Sequence, residues 1–310
     1  MDIKRLFAWA IIALPLFAAC DSGDKINDEG NEEGTSVEVS MKTLAGEWFL
    51  NTSDEFEVTE HTLTINSDGS YVEETTMYST YDDKKEITSQ YRNEGTFKLE
   101  GSRLYGKVTK AQSRYSRWVD GQNTGLTEWE DNDWYTSYDT VQVSILRNGS
   151  LLVLQAIYAG YGQDINAYTS FFFKKGAKLP SDKSELQGTW YWMETGMISN
   201  DEAVVRVAVK FTNDNVDMII TPWGARYTGK YTYKDGIVSI GKTTFYTTRD
   251  VDGYNDVIDY LHPYDSEWRI PGPDDYYQNS YPDGFSFPFV VNGKLAYSQF
   301  VGLAPVYQKQ

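Results

Sequence analysis

"LAGEW" at residues 44–48 and "LQGTW" at residues 186–190 are the same phrase written twice, with the tryptophans 142 residues apart (190 minus 48). A repeated pentapeptide becomes a repeated domain only if other signals keep the same spacing. They do. Trp48 is followed 100 residues later by Asn148 in "SILRNGSLLVL", and Trp190 is followed 102 residues later by Asn292 in "FVVNGKLAY". Asn-Gly between apolar runs is a hairpin signal, because the turn asks for positive φ. Between these landmarks "LTINSDGSY" matches "VKFTNDNVDM" in order, and "GTFKLEGSRLYGKV" matches "GKYTYKDGIVSIG". Four landmarks in one order point to internal duplication.

The local pattern is β. In "VVRVAVKF", Val205, Val207, Val209 and Phe211 fall on one face and Arg206 and Lys210 on the other, the period of a half-buried strand. Asp68, Gly101 and Asp235 mark further turns, and no long stretch combines helical period with caps. The expected fold is therefore all-β: two tandem antiparallel barrels, closed or half-open, since closure removes the unpaired edges that invite aggregation. A sandwich of two sheets is the alternative. The expected boundaries are domain 1 over 43–176, a Pro/Gly/Ser linker over 177–184 inside "GAKLPSDKSE", and domain 2 over 185–310.

The N-terminus speaks of an address. Lys4 and Arg5 precede "LFAWAIIALPLFAA", an apolar run too short to span a bilayer and suited to a signal peptide over 1–19. Its end, "FAAC", resembles a lipobox of bacterial lipoproteins, with Phe17 where Leu is usual. The resemblance implies that Cys20 is lipidated and anchors the protein to a membrane. Cys20 is also the only cysteine in the chain, which excludes a disulfide framework. Residues 20–42 carry seven acids and one lysine between Asp21 and Ser40, and read as a flexible tether. Acids directly after a lipidated cysteine resemble the export tag of surface-exposed lipoproteins of the Gram-negative outer membrane. "DTV" at 139–141 likewise resembles a bacterial O-glycosylation acceptor, centred on Thr140.

"LAGEWFL" and "LQGTWYW" resemble the Gly-x-Trp motif on the first strand of lipocalins and their bacterial lipocalin-like relatives. That resemblance implies structural roles for Gly46, Trp48, Gly188 and Trp190, with the tryptophans plugging the closed end. The second lipocalin motif and the arginine that stacks on the tryptophan have no match here; Lys174 and Lys309 stand near the ends of the two copies as substitutes.

The formal charge of −17, near −18 once Met1–Ala19 with its two cations and one acid is removed, argues against nucleic-acid binding, which needs cations against phosphates. Two histidines, His61 and His262, occupy unrelated positions and come with no nucleophile motif, so no catalytic residue is assigned. No cofactor and no metal site are expected; "DVDGYNDVIDY" at 250–260 gathers oxygen ligands but misses the EF-hand spacing. A hydrolase built on "EWEDNDW" or "PGPDDYYQNSYPDG" would need two carboxylates flanking a cleft. Aromatic residues, 15% of the chain, concentrate before each Asn-Gly hairpin: Trp118, Trp129, Trp134 and Tyr135, then Trp268, Tyr276, Tyr277 and Tyr281. Such rings among Asp, Asn and Gln suit recognition, and equally suit packing against strands. The expectation is a lipid-anchored protein of the cell envelope that binds a small amphipathic ligand or a glycan, in its barrels or on these loops. The rival expectation is an accessory subunit of a surface assembly.

Overall fold

A computed structural model describes residues 36–310 apart from 54–56, 80–84, 120–121, 133–139, 161–162, 196–202, 250–251, 253–256 and 300–305. The chain divides into two compact units, the first running to Ala177 and the second starting at Lys178. Both are antiparallel β-barrels, and the sandwich alternative falls away.

The first unit holds β1 (Gly46–Ser53), β2 (Glu57–Ile65), β3 (Ser70–Ser79), β4 (Glu86–Glu100), β5 (Arg103–Val119), β8 (Val141–Leu146), β9 (Leu151–Gly160) and β10 (Gln163–Lys174), with short β6 (Gln122–Leu126) and β7 (Glu130–Asp131) lying on β5. Each of the eight long strands pairs with the next, and β10 returns to β1, so the ring closes. The second unit repeats the order. It holds β11 (Gly188–Thr195), β12 (Ala203–Thr212), β13 (Asn215–Ile220), β14 (Ala225–Lys234), β15 (Ile237–Ile240), β16 (Thr244–Thr247), β17 (Phe285–Asn292), β18 (Leu295–Ser298) and β19 (Val306–Lys309). Here β14 serves three neighbours: residues 225–230 pair with β13, residues 225–228 also with β16 on their other edge, and residues 231–234 with β15, which carries the pairing on to β17, β18, β19 and back to β11.

The matched landmarks fall on topologically equivalent hairpins, β2–β3 with β12–β13, β4–β5 with β14–β15, and β8–β9 with β17–β18. Turn chemistry explains them unevenly. Asp235 and Gly236 both have positive φ and form the two-residue turn that the strand twist favours. Asn148 sits in a wider turn between the paired Leu146 and Leu151, and Asn292 is the last paired residue before Gly293-Lys294, so neither Asn-Gly is itself a two-residue turn.

Each barrel is plugged the same way. A short helix, Met41–Leu44 or the 3-10 turn Lys183–Leu186, precedes the first strand and ends on a leucine with no exposure. The tryptophan four residues on is fully buried and donates its indole N–H back to that leucine carbonyl, at 2.8 Å for Trp48 to Leu44 and 2.7 Å for Trp190 to Leu186. Lys174 and Lys309, paired across the closing seam with Trp48 and Trp190, place their ammonium groups 5.4 and 5.2 Å from the indole centroids. Gly46 and Gly188 have φ of 139° and 116°, and a Cβ there would meet the same lysine stems at 3.6 and 3.2 Å. Two further glycines, Gly95 and Gly229, sit at equivalent inward positions of β4 and β14; a Cβ would come within 2.7 Å of the Tyr71 ring in one and 2.9 Å of Ile240 in the other.

The helix starts are capped. Ser40 accepts from the Thr43 amide while Thr43 reaches back to the Ser40 amide, and Asp182 accepts from the Ser184 amide. This corrects the N-terminal boundary. The tether expected to run to residue 42 ends earlier, because Val37 bridges Ile145 of β8 and Ser40 caps the helix.

Trp190→Ala removes a large buried ring and leaves the Leu186 carbonyl without its donor. We expect a loss of about 3–5 kcal/mol, measured by chemical denaturation, with Trp48→Ala giving a loss of the same order.

Candidate functional site

The two barrels share a frame but not an interior. In the second, the described inward side chains are apolar apart from tyrosine hydroxyls, that of Tyr307 being buried without a partner: Val207, Val209, Phe211, Val216, Met218, Tyr227, Tyr231, Phe287 and Phe289 pack into one buried cluster. Edge-to-face ring contacts tie it together, Trp190 to Phe289 at 5.8 Å and Phe287 to Phe289 at 6.2 Å. This barrel is filled.

In the first barrel the floor is similar. Trp48, Leu63, Ile65 and Leu104 are buried, and Tyr71 stacks on Phe97 with centroids 4.1 Å apart. Above that floor the chemistry changes. His61 on β2 points inward with its edge on Phe172, at 4.8 Å, and its Nε2 lies 2.8 Å from Oε1 of Glu73 on β3. The other carboxylate oxygen of Glu73 accepts from Asn93 Nδ2 on β4, at 3.1 Å. Register explains the meeting. Leu63 pairs with Glu73, Glu73 pairs with Asn93, and His61 lies two residues before Leu63 on the same face.

Glu73 is only 7% exposed, so its carboxylate depends on these partners. Two polar atoms nearby have none among the described residues: Asn93 Oδ1 and the Tyr71 hydroxyl. Burial, with the Glu73 charge adding to it, pushes the Tyr71 phenol up to about 12. Tyr71 therefore stays protonated at any ordinary pH and holds a hydroxyl ready to donate. Towards the mouth the same faces carry Thr75, Tyr91, Ser89, Ser113 and Tyr115, with Tyr91 and Tyr115 edge to face at 6.0 Å. His61, Asn93, Thr75 and Tyr91 all keep partial exposure although they face inward, so the interior is open to solvent at this level.

Equivalent register positions make the contrast sharp. Where the first barrel has His61, Glu73 and Asn93, the second has Val207, Met218 and Tyr227, each no more than 3% exposed. Among the described residues, a polar interior open to solvent belongs to the first copy.

The aromatic residues singled out in the sequence separate into two groups. Trp268 donates its indole N–H to the Pro263 carbonyl at 3.0 Å and packs with Tyr264 on Val205, Ala208 and Ile219, clamping the 258–268 excursion to its own barrel. Tyr277 and Tyr281 lean on the second core, Tyr277 beneath the Arg249 guanidinium at 4.6 Å and Tyr281 against Phe285 at 5.0 Å. Trp129 lies under Arg114 at 4.5 Å. These four are packing residues. Trp118 and Tyr276 remain outside, 56% and 75% exposed. Trp134, Tyr135 and Cys20 lie outside the described residues.

Of the 250–260 segment, Asp259 is committed to a turn. It accepts from the Leu261 and His262 amides at 2.9 Å each, and these bonds hold its carboxyl below the usual carboxylate range. Among the described residues no group of three His, Cys, Asp or Glu is placed to hold a metal, and no helix is long and apolar enough to cross a membrane. A polar concavity of about 550 Å³ lies on the outer face of β12–β14, lined by Lys210, Asp217, Lys230 and Lys242 among others. No protein-family model matches the chain, and no curated protein matches it at a significant level.

The register equivalence is testable by transplant. His61→Val, Glu73→Met and Asn93→Tyr together convert the first interior to the second, and we expect thermal stability to hold or rise, because a buried ionic group is replaced by apolar packing. The reverse single change, Met218→Glu, places an unpaired carboxylate in a filled core and should cost roughly 3 kcal/mol or more by denaturant titration.

Proposed function

We propose that this chain is a lipid-anchored binding protein of the Gram-negative cell envelope. In this reading the first barrel receives a small amphipathic ligand without covalent chemistry, and the second serves as a packed structural module. The observation that carries the reading is the His61–Glu73–Asn93 cluster, set in an open interior with two unpartnered polar atoms, where the duplicate has sealed the same positions with Val, Met and Tyr. Buried polar groups cost stability unless satisfied. An imidazole, a carboxylate and an amide that meet inside one copy, where the other places Val, Met and Tyr, are therefore better explained by an occupant than by folding. A barrel of eight strands has room for one small ligand above a side-chain floor. The floor of Tyr71, Phe97 and Phe172 would take the apolar end of that ligand and the cluster its polar end.

The resemblance of the Gly-x-Trp segments to lipocalins supports the same reading, since it implies a ligand held inside the barrel. The lipid anchor and surface address rest on "FAAC" and the acidic residues that follow it. An accessory role in a surface assembly is the second reading, favoured by the filled second barrel and by the exposed rings of Trp118 and Tyr276.

Two experiments separate these. Cys20→Ser should abolish incorporation of labelled fatty acid and release the protein from the membrane fraction; unchanged labelling would remove the anchor from the account. A panel of small amphipathic compounds and oligosaccharides, titrated onto the full chain, should yield ligands whose affinity falls at least tenfold in the His61→Val, Glu73→Met, Asn93→Tyr variant. Binding that survives there and disappears in Trp118→Ala or Tyr276→Ala would move the site to the outer surface.

A further inference from the structure

We infer that the outer face of the second barrel binds a phosphomonoester on a hydroxyl-rich body, such as a sugar phosphate. The inference is independent of whatever occupies the first barrel. The site is the concavity of about 550 Å³ over β12, β13 and β14, a volume in the range of pockets that hold small organic molecules rather than bare ions. Its shape has a local cause. Between the pairs Thr228–Thr244 and Tyr231–Ile240, β14 has two residues and the chain from β15 to β16 has three. The extra residue makes a bulge that bends the sheet, and Lys242 stands in it.

Charge on this wall runs against the chain. Lys and Arg number 28 against 45 Asp and Glu overall, yet the wall carries Lys210, Lys230 and Lys242 against one acid, Asp217. That acid is already answered. Arg226, further along β14, meets both its oxygens, Nε to Oδ1 at 2.9 Å and Nη2 to Oδ2 at 2.7 Å. Asp214 in the adjoining turn is in electrostatic reach of Lys230 but is bonded to Lys183 at 2.6 Å. The acids of neighbouring segments, Glu185, Asp265 and Asp283, do not line the concavity. Among the described residues none of the three lysines makes an ion pair, and the Lys210 ammonium lies 6.0 Å from the Tyr264 ring.

Register sets donors between the cations. Lys210 pairs with Asp217 and Asp217 with Thr228, while Asn215 pairs with Lys230 one row on, all at outward parity. Strands lie about 4.8 Å apart, so Lys210 and Lys230 are separated by about 10 Å across the sheet, and their four-carbon stems reach a common point. Thr228, Thr244 and Asn215 offer hydroxyl and amide donors on the same wall. A phosphomonoester carries close to two charges at neutral pH and three strong acceptor oxygens, which several cations match better than a single-charged carboxylate would. The first barrel serves as a control. The register that sets His61, Glu73 and Asn93 against Val207, Met218 and Tyr227 sets Thr64, Thr96 and Val108 against the three lysines. Lys110, at the place of Thr244, is paired there with Glu94. The frame itself therefore asks for no lysine at these places.

The test is calorimetric titration of the full chain at neutral pH with glucose 6-phosphate, glucuronate and glucose. The phosphate should bind, glucuronate about tenfold more weakly and glucose not at all, with the phosphate affinity falling as salt is raised. Lys210→Thr, Lys230→Thr and Lys242→Val together install the first barrel's residues on an exposed face, and should abolish binding without lowering the melting temperature. Lys230→Gln alone keeps the stem, should lower affinity several-fold, and carries the test if the triple variant melts early. The same loss of charge at Lys98, Lys107 and Lys110, exposed on β4 and β5, should leave affinity unchanged. Vesicles identify the source of the phosphate. If phosphatidylinositol 4-phosphate in phosphatidylcholine vesicles sediments more of the parent than of the triple variant, the ligand is a lipid headgroup; if that lipid makes no difference, it is a free molecule. Silence from both glucose 6-phosphate and the phosphorylated lipid overturns the inference. So does binding that survives in the triple variant, or an equal loss in the variant of β4 and β5, which would reduce the effect to diffuse charge. Glucuronate binding as tightly as the phosphate overturns the phosphomonoester.

Discussion

The indole N–H of each motif tryptophan, bonded to a leucine carbonyl four residues earlier, is the interaction on which both barrels depend. A barrel end must be closed by something apolar, and tryptophan is the largest apolar side chain, but its N–H cannot be buried without an acceptor. The last carbonyls of a helix lack intrahelical donors. Ending a capped turn on Leu44 or Leu186 brings the two needs together. The other parts follow from that arrangement. The cap starts the turn, the glycine with positive φ lets the chain swing from turn to strand beside a lysine stem, and the lysine covers the outer face of the indole.

Much of this frame was legible in the chain. Alternation gave strands, turn residues gave hairpins, and a phrase written twice gave two units of like topology. The legible repeat was also shorter than the real one. Ser40, Leu44, Gly46 and Trp48 share their spacing with Asp182, Leu186, Gly188 and Trp190, so the unit of repetition starts at the cap and spans nine residues. Ser and Asp share a capping role without sharing a letter, so identity of residues does not reveal this start, and the acidic neighbours of Ser40 make it look like tether by composition.

The interior cluster was hidden for a different reason. His61, Glu73 and Asn93 each lie at inward parity, two residues from Leu63, Tyr71 and Gly95 respectively, and that much could be counted along each strand. Whether three inward polar residues meet depends on the register of two hairpins, and turn length shifts register by whole residues. The aromatic segments show the converse. Ring content drew attention to Trp129, Trp268, Tyr277 and Tyr281, yet composition does not distinguish a ring that covers a barrel from one that waits for a partner. Arg249 over Tyr277 and Arg114 over Trp129 make that distinction, and neither cation was predictable from local sequence.

Duplication turns the second barrel into an internal control for the first. Both copies close with the same plug and carry a glycine at the same inward position of the fourth strand, so folding asks the same of each. The second copy meets that demand with an interior of Val, Met, Phe and Tyr, which shows that this frame accepts an apolar filling at every position of the cluster. The polar interior of the first is therefore not imposed by the fold. Holding a carboxylate 7% exposed, with one amide oxygen and one phenol unanswered, works against stability in proportion to what is left unsatisfied. Such a departure from the filled arrangement, confined to one copy and open to solvent on one side, is where a ligand would recover the missing hydrogen bonds.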